Sequence, residues 1–194
     1  MKPVVVIAPG NGCNNIRKSN WYGELYNRLT EKGILCICKN FPDPLHARRE
    51  NWIPYMKSLV DKNSSDGDNV ILVGHSSGAQ ATLRYCEQYP VYGAVLVSAT
   101  YSDLGDSLER QSGYYPENSS SGKPEDNPYL FSKMKENCQK WYQFHSDDDP
   151  FIPLHEAEAI RDGLGLTDSY IMLPGRSHFF RFEPELLDVI LSLC

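Results

Sequence analysis

Serine, aspartate and histidine stand in this chain at positions from which they could together carry out nucleophilic chemistry. Gly74-His75-Ser76-Ser77-Gly78 matches G-x-S-x-G, a sharp strand-to-helix turn that presents a serine hydroxyl. Glycine is needed at both ends because a Cβ there would collide with the neighbouring strand or helix. Chance supplies the pattern in roughly one chain in fifteen of this length, so context decides. Here Val70-Ile71-Leu72-Val73 leads in as an apolar strand, and Ala79-Gln80-Ala81-Thr82-Leu83-Arg84 leads out with helical composition. A serine hydroxyl is a weak nucleophile until a base removes its proton, so an acid and a histidine must follow.

Three acids stand together in Ser146-Asp147-Asp148-Asp149-Pro150-Phe151-Ile152-Pro153. A triad acid loop of this kind reads Asp, two residues, an apolar residue, then Pro, which selects Asp149 with Asp148 as the alternative. Reading the run as a metal site lacks a second ligand cluster or a glycine-rich calcium loop. Of the five histidines, His46, His145 and His155 have no placement that distinguishes them from surface or packing residues, and His75 fills the variable position of the turn. His178 follows the last apolar strand in Pro174-Gly175-Arg176-Ser177-His178-Phe179, completing the chain order Ser76, Asp149, His178. The oxyanion formed on attack needs backbone N–H donors. Ser77, opening the helix, supplies one; Pro9-Gly10-Asn11-Gly12 after the first strand supplies the other, from Asn11 or, second, Gly12.

The elements that must position these groups are legible as apolar runs separated by helical patterns. Strands are expected at 4–8, 34–38, 70–73, 93–99, 141–144 and 170–173. Helices are expected at 21–31, at 46–60 with an interruption near Pro54, and at about 79–88, 155–163 and 184–193. Residues 102–130 show no period and read as an excursion over the sheet edge. The expectation is one domain over 1–194: α/β, three-layered, about six mostly parallel strands with helices on both faces and little or no cap. With 41% hydrophobic and 23% charged residues the chain is globular, and its net charge of −6 disfavours nucleic acid or an anionic membrane as partner. The first apolar run stops after five residues, short of the roughly 7–15 of a secretory leader. No run nears the roughly 20 apolar residues of a membrane span. The six cysteines lack zinc spacing, Cys36 and Cys38 share one strand face, and reduced thiols in a cytoplasmic protein are expected. Ser121-Gly122-Lys123 resembles the end of a phosphate loop, but its earlier glycine is replaced by Glu117.

Taken together, Pro9-Gly10-Asn11-Gly12, Trp21-Tyr22-Gly23, Asn40-Phe41-Pro42-Asp43-Pro44, Gly74-His75-Ser76-Ser77-Gly78, Ser102-Asp103-Leu104-Gly105-Asp106 and Gly175-Arg176-Ser177-His178-Phe179 resemble the retinoblastoma-binding protein 9 family of small serine hydrolases, within the α/β-hydrolases. The resemblance implies a triad of Ser76, Asp149 and His178 and small ester or amide substrates, including aminopeptidase-like cleavage beside a hydrophobic residue. Acyl transfer by such a triad requires no metal or organic cofactor. Trp21, Tyr101, Phe151 and Phe179 are candidates for the pocket wall or for plain core. The family's Leu-x-Cys-x-Glu segment is absent, since this chain reads Leu59-Val60-Asp61-Lys62-Asn63, so retinoblastoma protein binding is not carried over. A catalytically idle binding or scaffold protein on the same fold is the alternative, and a lyase using the same triad is a third reading.

Overall fold

The computed structural model describes residues 1–118, 121 and 123–194. Its framework is a six-stranded sheet of β1 (Pro3–Ala8), β2 (Leu35–Ile37), β3 (Asn69–His75), β4 (Val91–Val97), β5 (Cys138–His145) and β6 (Tyr170–Met172). The strands lie in the order β2-β1-β3-β4-β5-β6, and every neighbouring pair is parallel. From β1 the chain crosses to β2 on one side and returns to β3 on the other, so the order reverses between β1 and β3. Crevices in open parallel sheets lie beyond the carboxyl ends of strands at such a switch point. Ala8 pairs with Gly74 there, which sets the Pro9-Gly10 loop beside the serine turn.

Alternation along the central strands divides the core into two layers. Val4, Val6, Leu72, Ala94 and Leu96 face one side, packed by α2 (Arg49–Asn63), α3 (Ser77–Cys86), α5 (Phe131–Asn137) and α6 (Leu154–Leu164). Val5, Ile7, Ile71, Val73, Val95 and Val97 face the other, packed by α1 (Tyr22–Glu31) and α7 (Pro184–Leu193). Strands buried on both faces read as continuous apolar runs, and these do. Buried Tyr22, Leu25 and Leu29 on α1, and Leu186, Ile190 and Leu193 on α7, follow helical spacing. All six cysteines are free thiols, and Cys36 and Cys38 lie buried in the α1 layer.

Two expectations need correction. Helix α2 runs through Pro54 without interruption. Proline removes one N–H and crowds the carbonyl four residues earlier, but that carbonyl belongs to exposed Glu50, while Trp52, Ile53, Met56 and Leu59 are buried against the sheet. The 102–130 excursion also holds regular structure: α4 (Ser107–Ser112) and a 3-10 turn at Pro124–Asp126, with α5 following directly. Helix α4 is capped by Asp106, whose carboxylate accepts from the Leu108 and Glu109 amides, and it stops at Gly113 in the left-handed region. Gly122 of the rejected phosphate-loop reading lies outside the described residues. Among the described residues, no helix is long and apolar enough to cross a membrane.

Candidate active site

Ser76 sits between β3 and α3 with φ 54° and ψ −123°. A non-glycine residue held there costs about 1–3 kcal/mol, so the surroundings must over-determine it. Its N–H extends the sheet to the Val97 carbonyl at 2.9 Å, and its carbonyl opens α3 by accepting from the Ala79 amide at 2.8 Å. The glycines permit the turn sterically. A Cβ on Gly74 would lie 2.4 Å from the Gly78 carbonyl oxygen, and one on Gly78 would lie 2.1 Å from that of Ala8. The elbow is therefore wedged against the end of β1, with the Ser77 amide at the helix N-terminus.

The three aspartates after β5 do three different things. Asp147 accepts from the Gly175 amide at 3.0 Å, Asp148 from the Ser177 amide at 2.7 Å, and Asp149 Oδ2 from His178 Nδ1 at 2.8 Å. Ser146 Oγ donates to Asp148 and accepts from the Arg176 amide. The acid loop thus ties down the 175–178 loop, in which Ser177 (φ 52°) and neighbouring Phe179 (φ 50°) both occupy the left-handed region. Asp149 is the acid that faces the histidine, and Asp148, the alternative, positions backbone. Burial works to raise the Asp149 carboxyl, but it is outweighed by His178 and by the Phe151 and Ile152 amides on Oδ1, which hold it below the usual range. Because a carboxylate only accepts, His178 carries a proton on Nδ1, and in the neutral ring the Nε2 lone pair is the one left available. Phe151 and Phe180 lie 5.1 and 5.6 Å from the imidazole centroid and shield it from water.

Ser76, Ser77, Asn11, His178 and Phe151 line one cleft of about 580 Å³. The other aromatic candidates do not. Trp21 and Phe179 are buried in the α1 layer, and Tyr101 packs on Tyr129 with its amide bonded to Glu156. Gly12 is also corrected, because its N–H is engaged by the Pro44 carbonyl at 2.7 Å. The Gly10 N–H is likewise spent, on Tyr22 Oη at 2.9 Å, which leaves the N–H of Asn11, a residue that lines the cleft, as the candidate donor from this loop. Sequence reasoning missed Leu104, Leu108, Glu109 and Tyr115, contributed by the excursion, and Phe180. Asp106-Ser107-Leu108-Glu109 carries a helix-start pattern that would have located α4. A cavity of about 590 Å³ beside α2 is less suited to chemistry: its Arg48 and Arg49 pair with Asp43 and Glu87, and its Ser112 hydroxyl donates to the Glu109 carbonyl.

A parallel sheet with this strand order, reversing where a serine elbow meets the loop after β1, defines the protein as an α/β hydrolase. The chain belongs to the serine hydrolase family, whose model matches residues 5–180. It is 38% identical over 190 residues to serine hydrolase RBBP9 of Rattus norvegicus, covering 97% of this chain and 94% of that protein. Among solved structures it is similar to the ydeN gene product of B. subtilis, with TM-score 0.77, 23% identity and coverage of 100% and 98% of the two chains. Est1E from Butyrivibrio proteoclasticus superposes with TM-score 0.66 at 16% identity, covering 99% and 85%. At those identities the structural likeness speaks to fold alone.

Proposed function

We propose that this serine hydrolase cleaves small esters or amides through an acyl-enzyme formed on Ser76. The observation that carries this reading is the 2.8 Å bond from His178 Nδ1 to Asp149 in the cleft that Ser76 lines from its elbow. His178 Nε2 removes the serine proton as Oγ attacks the carbonyl carbon, then returns it to the leaving oxygen or nitrogen. Asp149 holds the imidazole tautomer and stabilises the cation that forms. Water, activated by the same base, hydrolyses the acyl-enzyme. The Ser77 and Asn11 amides receive the oxyanion, where loss of one donor costs about 10²–10³ in rate. Leu104, Leu108, Phe151 and Phe180 form an apolar rim for a modest hydrophobic acyl group.

One observation favours the aminopeptidase-like branch. Glu109 lines the same cleft, its carboxylate accepting from Tyr115 Oη at 2.6 Å, and burial pushes its carboxyl up. A substrate ammonium beside it would supply the missing counter-charge.

The test is fluorophosphonate labelling of wild type and of folded Ser76→Ala, followed by turnover of p-nitrophenyl esters and aminoacyl amides. Labelling confined to wild type, with turnover, is the expected result. Folded wild type that neither labels nor turns over would return the protein to the binding-protein reading.

A further inference from the structure

Position 75, second in the elbow, holds a side chain that the chemistry of Ser76, His178 and Asp149 leaves unused. Its ring is 1% exposed, and both nitrogens are engaged. Nε2 lies 2.9 Å from the His178 carbonyl oxygen. A carbonyl only accepts, so Nε2 carries the proton. Nδ1 lies 2.6 Å from Tyr22 Oη, and in a neutral ring protonated on Nε2 it accepts the tyrosine hydroxyl. The phenol oxygen then has lone pairs for two donors and receives two, the Gly10 N–H at 2.9 Å and Asn20 Nδ2 at 3.1 Å. Donors and acceptors match throughout. Flipping the ring would set carbon against both partners.

We infer that Tyr22 and His75 are positioning residues that fix the two sides of the cleft against each other. At one end of the relay is the Gly10 peptide, which immediately precedes the Asn11 amide. At the other is the His178 backbone, from which the base projects. The elbow sits between them, so its own second residue reaches both. Gly10 itself is confined, since a Cβ there would meet Ser76 Cβ at 3.3 Å and Tyr22 Oη at 3.6 Å. Oxyanion donors and a general base work through preorganisation, and misplacement by about 1 Å can cost on the order of 100-fold. The relay therefore acts on the chemical step and leaves ground-state binding largely alone. The inference rests on the hydrolase reading of this site.

The experiment counts reactive sites as well as rates. Tyr22→Phe keeps the ring and removes only the hydroxyl. With p-nitrophenyl acetate as substrate and fluorophosphonate as titrant, it should still label one serine per chain with KM within about twofold. Its kcat per labelled site should fall about 10–100-fold. His75→Phe should lose at least as much, and His75→Gln, whose amide N–H can reach the His178 carbonyl, should recover part of it. In wild type, long-range ¹H–¹⁵N spectra should place the His75 proton on Nε2, a readout that needs no variant to fold. Unchanged kcat per labelled site in Tyr22→Phe overturns the relay alone. So does a labelled fraction that falls in step with kcat, or a His75 proton found on Nδ1. Wild type that neither labels nor turns over overturns the hydrolase reading and the relay with it.

Discussion

Asp149 and Asp148 are adjacent carboxylates with separable duties, which makes their substitutions informative as a pair. Asp149→Asn keeps the size of the side chain but replaces the acceptor facing His178 Nδ1 with a group that can donate, favouring the wrong imidazole tautomer. Its kcat should fall about 10³–10⁴-fold with KM little changed, measured on the best ester found. Asp148→Ala frees only the Ser177 amide and Ser146 hydroxyl, so its loss should be no more than about tenfold, and a larger one would transfer the acid role to it. Glu109→Gln keeps an acceptor for Tyr115 while removing charge. It should lower kcat/KM about tenfold or more for aminoacyl esters and leave acetyl esters nearly unchanged. Equal loss on both substrates would remove Glu109 from amine recognition.

Among the elements, α3 does more than present Ser76. Near its end Arg84 is buried, pairing with Glu87 at 2.7 Å and donating to the Tyr114, Asn127 and Pro128 carbonyls. Its guanidinium also lies over the Tyr129 ring. At the other side of the excursion, buried Glu156 on α6 accepts from the Tyr101 and Ser102 amides. The excursion is thus clamped to the helix that carries the elbow. Arg84→Ala would leave the buried Glu87 carboxylate with only Arg49 and the Leu130 amide, and three carbonyls without their donor, and should cost about 3 kcal/mol in urea unfolding. A variant as stable as wild type would mean that the excursion holds its place by packing alone.

For the molecule as a whole, acid stability should reflect the relay. Burial, then the nearness of His178, lowers the His75 pKa to about 3, against 6.5 in the unfolded chain. Below 6.5 the unfolded chain takes up a proton that the folded one refuses, so stability falls as pH drops toward 3. The loss is on the order of 2 kcal/mol by pH 5. Burial also lowers His145 and adds to this slope, while Glu109, raised by burial, opposes it. Asp149, held low, contributes its stability above about 3.8 and loses it only below, in a separate and more acidic window. Urea midpoints between pH 7 and 5 should therefore fall less steeply in His75→Gln than in wild type. Parallel slopes would place the titration elsewhere.

Much of this was readable from residue order. Buried parallel strands must be continuously apolar, an elbow must have glycines where backbones touch, and the order of nucleophile, acid and base follows the order of the strands that carry them. Those constraints are local or periodic, so the sheet, the elbow and the contact of Asp149 with His178 beside it could be read along the chain. The missed features depend on groups far apart in sequence. Pro54 stays inside α2 because the sheet beneath outweighs one lost hydrogen bond. Phe180 lines the cleft while Phe179 packs into the α1 layer, a division set by how the loop seats against the sheet. His75 looked idle because its partners, Tyr22 and the His178 carbonyl, are 53 and 103 residues away. Only packing in three dimensions could give that buried ring a donor to receive and an acceptor to reach.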